Sequence, residues 1–228
     1  MDRRTFLTAV AGMALVPEVA VAAEDSTLIA TNLLADFKAA CQHNGELHAP
    51  TLLSALGACA GFGCQMAVRA GVREGKIPAK GAFVVATTKD GENYYLGDQI
   101  NQPLLEARIS VWGLVGAAAQ KAGATTLPDI HDIVRHVVGR IGWPEFGTLR
   151  VAAADQPFEK PIESLKRLWA PSQARLAGAD PLFQGWHFAY AAQLFILQTK
   201  VIDPKIEAQI VMESAVAMSM IDPKNLGL

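Results

Sequence analysis

The stretch that decides the fold is PTLLSALGACAGFGCQMAVRAGVRE, at residues 50–74. Its leading proline suits the first turn of a helix, and the two arginines near its end complement the helix dipole. No charged residue occurs over residues 49–68, where Gly57, Gly61 and Gly63 separate the large apolar side chains. The pattern predicts a helix that is apolar on every face and packs closely against its neighbours at the centre of a bundle.

Helical signals dominate the remainder of the chain. An aspartate followed by a proline occurs at residues 180–181 and again at 203–204. Because aspartate caps a helix and proline fits its first position, these pairs predict helices over residues 181–201 and 204–220. The first of them carries no Asp, Glu, Lys or Arg until Lys200, which also predicts a central position. Apolar periodicity predicts further helices over residues 32–42, 103–122, 128–141 and 161–169.

One β-hairpin is predicted over residues 82–96, where two runs rich in β-branched and aromatic residues flank the turn pair Asp90 and Gly91. A lone hairpin is marginally stable in water. It must therefore lie on the helices, gain a strand such as residues 148–152, or pair across a homodimer. The fold class predicted is mainly α: a single-domain bundle of six or seven helices with this one hairpin inserted.

Composition excludes one class of partner. The chain has 228 residues, a net charge of −2 and three tyrosines. It lacks the basic surplus that binding to a phosphate backbone requires, so we expect no nucleic-acid partner. A hydrophobic content of 51% and no low-complexity linker indicate one well-filled core.

The N-terminus reads MDRRTFL, with an apolar stretch over residues 8–16 and a small-residue end at residues 20–23. The paired arginines followed by x-Phe-Leu resemble a twin-arginine export signal. That resemblance implies removal of residues 1–23, a domain formed by residues 24–228, and a periplasmic or otherwise exported location. Asp2 and Thr8 depart from the family pattern, which leaves the general secretory route open. The apolar stretch is shorter than a membrane span, so we expect no span after cleavage.

The cysteines are Cys41, Cys59 and Cys64. If the last two share a helix, the step of five residues from one to the other separates them by about 7.5 Å along the axis and about 140° around it. They are then too far apart and point in the wrong directions to form a disulfide. A bridge from Cys41 to either of them stays open. We favour three buried thiols that act as small hydrophobic side chains.

The candidate metal site is the turn containing His43, Glu46 and His48, close to Cys41. Imidazole and carboxylate suit zinc or another divalent transition ion. The alternative is a solvated turn that coordinates nothing, because such residues are common in polar loops.

The candidate ligand-binding residues are His187, Trp186 and Tyr190, in the apolar helix that follows Pro181. A histidine in such a helix must find a hydrogen-bond partner or line a cavity. The alternative is a core histidine whose hydrogen bonds are satisfied.

No sequence motif names a reaction, because zincin, Cys-x-x-Cys, nucleophile-elbow and phosphate-loop patterns are all missing. The leading hypothesis is therefore a non-catalytic protein that binds a ligand or partner. One alternative is a metal-dependent enzyme or metal carrier that uses His43, Glu46 and His48. A second alternative is a structural protein that self-associates through hairpin edges or small-residue helices.

Overall fold

The computed structural model describes the backbone of residues 17–227 and the side chains of residues 25–227. Within that part of the chain the fold is mainly α-helical, as predicted. The predicted leader falls mostly on residues 1–16, outside the described residues, and stays a prediction. The helices of nine residues or more are α1 (Pro17–Ala40), α2 (Ala49–Arg73), α4 (Val111–Ala122), α5 (Ile130–Val138), α6 (Pro161–Ser172), α7 (Gln184–Gln198) and α8 (Pro204–Met218), and α3 (Asp98–Asn101) is a single turn.

Helix α2 is the centre of the bundle and packs against α8, α7 and α6. Its glycines allow that packing, since Gly57 lies against the backbone at Val211, and Gly61 against the backbone at Ala215. A step of four residues along α2, from Gly57 to Gly61, moves the contact four residues forward along α8, from Val211 to Ala215. The two helices therefore run parallel. One turn further on, the buried Gln65 donates from Nε2 to the Ser219 carbonyl at 2.9 Å. Helix α8 is therefore as central as α2, beyond what its sequence pattern predicts.

Helix α2 also has the length and apolar composition of a membrane span, which no other helix in the described part of the chain has. In this fold 94% of that apolar stretch is buried inside the protein. Large aromatic rings fill the space beside it. Phe62 of α2 packs edge-on against Trp169 of α6 at 4.7 Å, and Trp169 contacts Phe188 of α7 at 5.8 Å. The apolar faces of these three helices therefore meet in one core.

Within residues 17–227 two antiparallel hairpins accompany the helices, and one of them was predicted. The predicted hairpin consists of β3 (Val84–Thr87) and β4 (Asn93–Leu96), and Gly91 adopts a φ of 84° in its turn. The second is a small ribbon of β1 (Gln42–His43) and β2 (Glu46–Leu47) at the predicted metal turn. Residues 148–152 do not join β4; the chain after α8 does so, because Tyr94 bridges to Ile221.

Several helix boundaries differ from the prediction. Helix α1 begins at Pro17 and ends at Ala40, where a helix over residues 32–42 was predicted. The helix predicted over residues 103–122 is broken: Gln102–Glu106 is a π-helical turn, and α4 begins at Val111 because the Ser110 side chain caps it by accepting from the Gly113 N–H. Helix α6 continues through Pro171 to Ser172, because the missing N–H falls in the last turn, where few helical bonds remain to be lost. The segment after Asp180 begins as a 3-10 turn, Pro181–Phe183, before α7 starts at Gln184. All three cysteines are buried free thiols, as favoured from the sequence. Burial raises the pKa of Cys64 to about 12.

Candidate binding groove

The chain that follows α8 runs alongside β4 and forms one wall of a groove. Tyr95 donates its backbone N–H to the Met220 carbonyl at 2.8 Å, which fixes this segment against the hairpin. Asp222 then caps a short 3-10 turn, Pro223–Leu226, by accepting from the Lys224 N–H. The opposite wall is the start of α6. Gly147, with a φ of 76°, turns the connecting loop past the Met218 side chain.

The groove between these walls has a volume of about 290 Å³. This is close to the lower end of the ~300–1,000 Å³ that is typical of small-molecule sites. Its apolar surface comes from Phe146, Pro161, Ile162, Met218 and Ile221, and its polar groups come from Glu92, Tyr94, Lys160, Lys166 and Asn225. The lining contains no cysteine, serine or histidine. The groove therefore provides recognition groups at the edge of an apolar surface.

The α6 end of the groove is positively charged. Lys160 is the N-cap residue of α6 and makes no side-chain cap, and its Nζ donates instead to the Pro144 carbonyl at 3.1 Å. Lys166 follows two turns later and lies 3.4 Å from the exposed Glu163. Pro161 has no N–H, and the Ile162 N–H finds no acceptor among the described residues. Because an uncapped helix N-terminus favours negative charge, this end suits an anion.

The hairpin side of the groove is polar but differently charged. Tyr94 is buried and packs edge-on against Phe146 at 5.0 Å. Burial raises the pKa of its phenol, and the Glu92 carboxylate raises it further. The hydroxyl group is therefore neutral, and it donates to Glu92 at 3.3 Å. A ligand anion is accordingly favoured at the α6 end and repelled from Glu92.

The predicted metal-binding residues lie at a different place, on and after the β1–β2 ribbon. His43 pairs with Glu46 across the ribbon, and His48 precedes α2. Both imidazole rings pack on Phe158: the His48 ring at 3.7 Å and the His43 ring at 4.4 Å. Burial lowers the pKa of His48, and the nearby His43 lowers it further. The fold thus brings the two histidines together around an aromatic ring.

A hydrogen-bonded threonine holds His48 in that place. The Thr51 Oγ1 accepts from the Phe158 N–H at 3.0 Å and lies 2.8 Å from Nδ1 of His48. Among the residues described, no group of three or more His, Cys, Asp or Glu side chains is arranged so that it can hold a metal ion. The metal site at His43, Glu46 and His48 therefore stays a prediction.

The predicted ligand-binding residues form a ring cluster on α7. Trp186 packs on His187 at 5.3 Å and on Tyr190 at 5.1 Å. His187 is buried, which lowers its pKa, and its Nδ1 has no hydrogen-bond partner in the described chain. None of the three residues lines the groove at α6. Their role in binding stays a prediction.

Sequence reasoning missed the groove. Its lining residues come from the hairpin, the loop at residues 146–147, the start of α6 and the C-terminal segment. No local motif links these segments. The one feature of the sequence that points to the groove is the position of Lys160 and Pro161 at the start of a predicted helix.

No protein-family model matches this sequence, and comparison with curated proteins and with solved structures finds no significant match. The groove geometry is therefore the basis for a functional proposal.

Proposed function

We propose that this protein is an exported, non-catalytic binding protein, and that its ligand is a small monocarboxylate with an apolar tail. The observation that carries the proposal is the groove, in which the uncapped start of α6 and two lysines adjoin an apolar surface.

The carboxylate head belongs at the α6 end. Lys160 and Lys166 supply positive charge there, and the Ile162 N–H is a free donor at the positive end of the helix dipole. A hydrogen bond to a charged group contributes about 1.5–3 kcal/mol, more than a bond between neutral groups. Glu92 at the other end disfavours a second negative charge, which argues for a monoanion.

The tail belongs on the apolar surface made by Phe146, Met218 and Ile221. Burial of each methylene group stabilises the complex by about 0.8 kcal/mol. The volume of about 290 Å³ limits the tail to a short chain or one ring. We therefore expect affinity to rise with chain length and then to level off.

Calorimetric titration of the full chain with octanoate, octanol and octylamine tests this proposal. We expect octanoate to bind, octanol to bind about tenfold more weakly, and octylamine not to bind. Lys160→Gln and Lys166→Gln should each weaken octanoate binding by about tenfold. Lys121→Gln, on the exposed end of α4, is the matched control and should change nothing. Equal affinity for the acid and the amine contradicts the proposal.

A metal-binding role is the second candidate, because His43 and His48 converge on Phe158. A divalent transition ion there would use both imidazoles and Glu46. Elemental analysis of the protein purified without chelator, beside a His43→Ala and His48→Ala double variant, decides it. Stoichiometric metal that is lost in the variant supports this candidate. Protein without metal removes it and leaves the groove proposal untouched.

A further inference from the structure

The two sides of the groove carry opposite charges. Lys160 and Lys166 line it from α6, and Glu92 lines it from the hairpin. These charges do not neutralise one another. Lys160 donates to the Pro144 carbonyl, Lys166 lies beside Glu163, and Glu92 forms no ion pair within the described residues. The carboxylate of Glu92 therefore faces the groove with its charge unpaired.

The turn of the hairpin holds Glu92 in place. Its N–H donates to Oγ1 of Thr88 at 3.1 Å, and its carbonyl accepts from the Thr88 N–H at 2.8 Å. Tyr94 follows two residues later. Because side chains alternate along an extended chain, Glu92 and Tyr94 point to the same side, and both line the groove. The fold thus presents the two side chains to a ligand as a pair.

This pair offers hydrogen-bond acceptors and no further donor. The Tyr94 hydroxyl donates its one proton to Oε2 of Glu92 at 3.3 Å, which leaves the phenol oxygen as an acceptor. Oε1 of Glu92 has no hydrogen-bond partner in the described part of the chain. A primary ammonium group supplies three donors and a positive charge, whereas a hydroxyl group supplies one donor and no charge. The hairpin side therefore suits an ammonium group.

We propose that the ligand is a linear ω-amino carboxylate, with its carboxylate and its primary ammonium group at opposite ends of an apolar chain. The carboxylate binds at Lys160 and Lys166, and the ammonium group binds at Glu92 and Tyr94. The inference rests on the proposed function and narrows its class of ligand. An α-amino acid does not fit, because its ammonium group would lie beside the lysines.

The same geometry explains why an alkylamine is not a ligand. Glu92 is exposed, and a single exposed ion pair contributes little to affinity. Once the carboxylate is bound at α6, however, the ammonium group is already close to Glu92 at a high effective concentration. The second contact therefore adds affinity only to a molecule that carries both groups.

Calorimetric titration of the full chain with octanoate, 8-aminooctanoate and 2-aminooctanoate tests the inference. The two amino acids are isomers that differ in the position of the ammonium group. We expect 8-aminooctanoate to bind about fivefold more tightly than octanoate, and 2-aminooctanoate to bind more weakly than octanoate. Shorter ω-amino carboxylates should show one best chain length, because both ends must be reached at once.

Glu92→Gln removes the charge and keeps the size of the side chain. This variant should bind 8-aminooctanoate no more tightly than octanoate, while its affinity for octanoate is not reduced. Glu145→Gln is the matched control, since Glu145 is exposed on the neighbouring loop and does not line the groove. It should keep the fivefold preference of the parent protein, about as large as one exposed ion pair allows. Circular dichroism checks that both variants are folded.

The outcomes separate this inference from the proposed function. Octanoate binding that is equal to or tighter than binding of 8-aminooctanoate overturns the inference and leaves the monocarboxylate groove in place. A preference for 8-aminooctanoate that survives Glu92→Gln also overturns it. Absence of binding by all three acids overturns both proposals.

Discussion

Gly61 of α2 lies so close to Ala215 of α8 that a Cβ at position 61 would stand 2.5 Å from the Ala215 carbonyl carbon. The obstacle is backbone in the part of α8, residues 210–218, that is buried throughout, so it cannot rotate away. This contact sets the distance between the two central helices and explains why small residues recur along α2.

Gly61→Ala should therefore destabilise the protein by about 3 kcal/mol or more, since overpacking at backbone forces the two helices apart. Urea unfolding followed by circular dichroism measures the effect. Gly116→Ala in α4 is the control. Its Cβ would meet the flexible end of Leu127 at 3.3 Å and the Trp112 ring at an ordinary 3.8 Å, and the better helix propensity of alanine offsets the closer contact. Its change should stay within about 1 kcal/mol, and equal effects of the two substitutions would contradict the packing.

Glu207 in the first turn of α8 is fully buried, and neither carboxylate oxygen has a hydrogen-bond partner in the described residues. Burial raises its pKa to about 8, and Asp203 adds to the shift. The folded protein therefore holds this proton at pH values where the unfolded chain releases it. The contribution of Glu207 to the free energy of unfolding should therefore fall as pH rises from about 4.5 to about 8. Above about pH 8 this contribution should stay constant.

Glu207→Gln should remove that pH dependence, because the amide cannot ionise. We expect the variant to exceed the parent protein in stability by about 4 kcal/mol at pH 9, with a small difference at pH 5. Thermal unfolding at both pH values is the measurement. An unchanged pH slope in the variant would show that Glu207 is not the responsible group.

Arg150 links a buried carboxylate to the surface. Its Nε donates to Glu213 Oε1 at 2.9 Å and its Nη1 lies 2.7 Å from Asp132. Glu213 is 1% exposed, so loss of the guanidinium would leave it without its cation. Arg150→Met should therefore destabilise the protein by about 2 kcal/mol. The loss is smaller than for a buried charge with no partner at all, because the backbone N–H of residue 150 and the Gln209 side chain still donate to Glu213.

Arg135→Met is the matched control, since Arg135 also pairs with Asp132, at 3.4 Å, but is 75% exposed. An exposed pair of this kind contributes under about 0.5 kcal/mol. Equal losses for the two substitutions, measured by urea unfolding, would contradict a special role for Arg150.

The three thiols should be free but unreactive in the native protein. Burial raises the pKa of Cys41, Cys59 and Cys64, so little thiolate exists at pH 8. We expect negligible maleimide labelling of native protein and labelling of all three thiols after unfolding in the absence of reductant, as counted by mass spectrometry. Labelling of a single thiol in the unfolded chain would instead show a disulfide.

The sequence allowed the fold to be predicted because its strongest signals are local. A long uncharged run with glycines identified α2. A proline directly after an aspartate located the starts of the last two helical segments, and Asp90 with Gly91 predicted the hairpin turn. The partner of the hairpin was not predictable. Tyr94 meets Ile221 through the packing of α2 on α8, which is a long-range arrangement that no local pattern contains.

The groove was unpredictable for the same physical reason. Tyr94, Phe146, Ile162 and Ile221 are ordinary residues of a strand, a loop, a helix start and a chain end. Sequence analysis instead favours polar residues that cluster along the chain, such as His43 and His48. The fold brings that pair together, but their role in binding depends on a metal measurement.

The most direct test of the groove is the backbone nuclear magnetic resonance spectrum of the isotopically labelled full chain, recorded with increasing octanoate. The account predicts saturable shifts at the amides of Gly147, Ile162, Glu163 and Ile221, which lie at the α6 end of the groove and along its walls. Shifts confined to α7 around Trp186 and Tyr190, or no saturable shift, would contradict it.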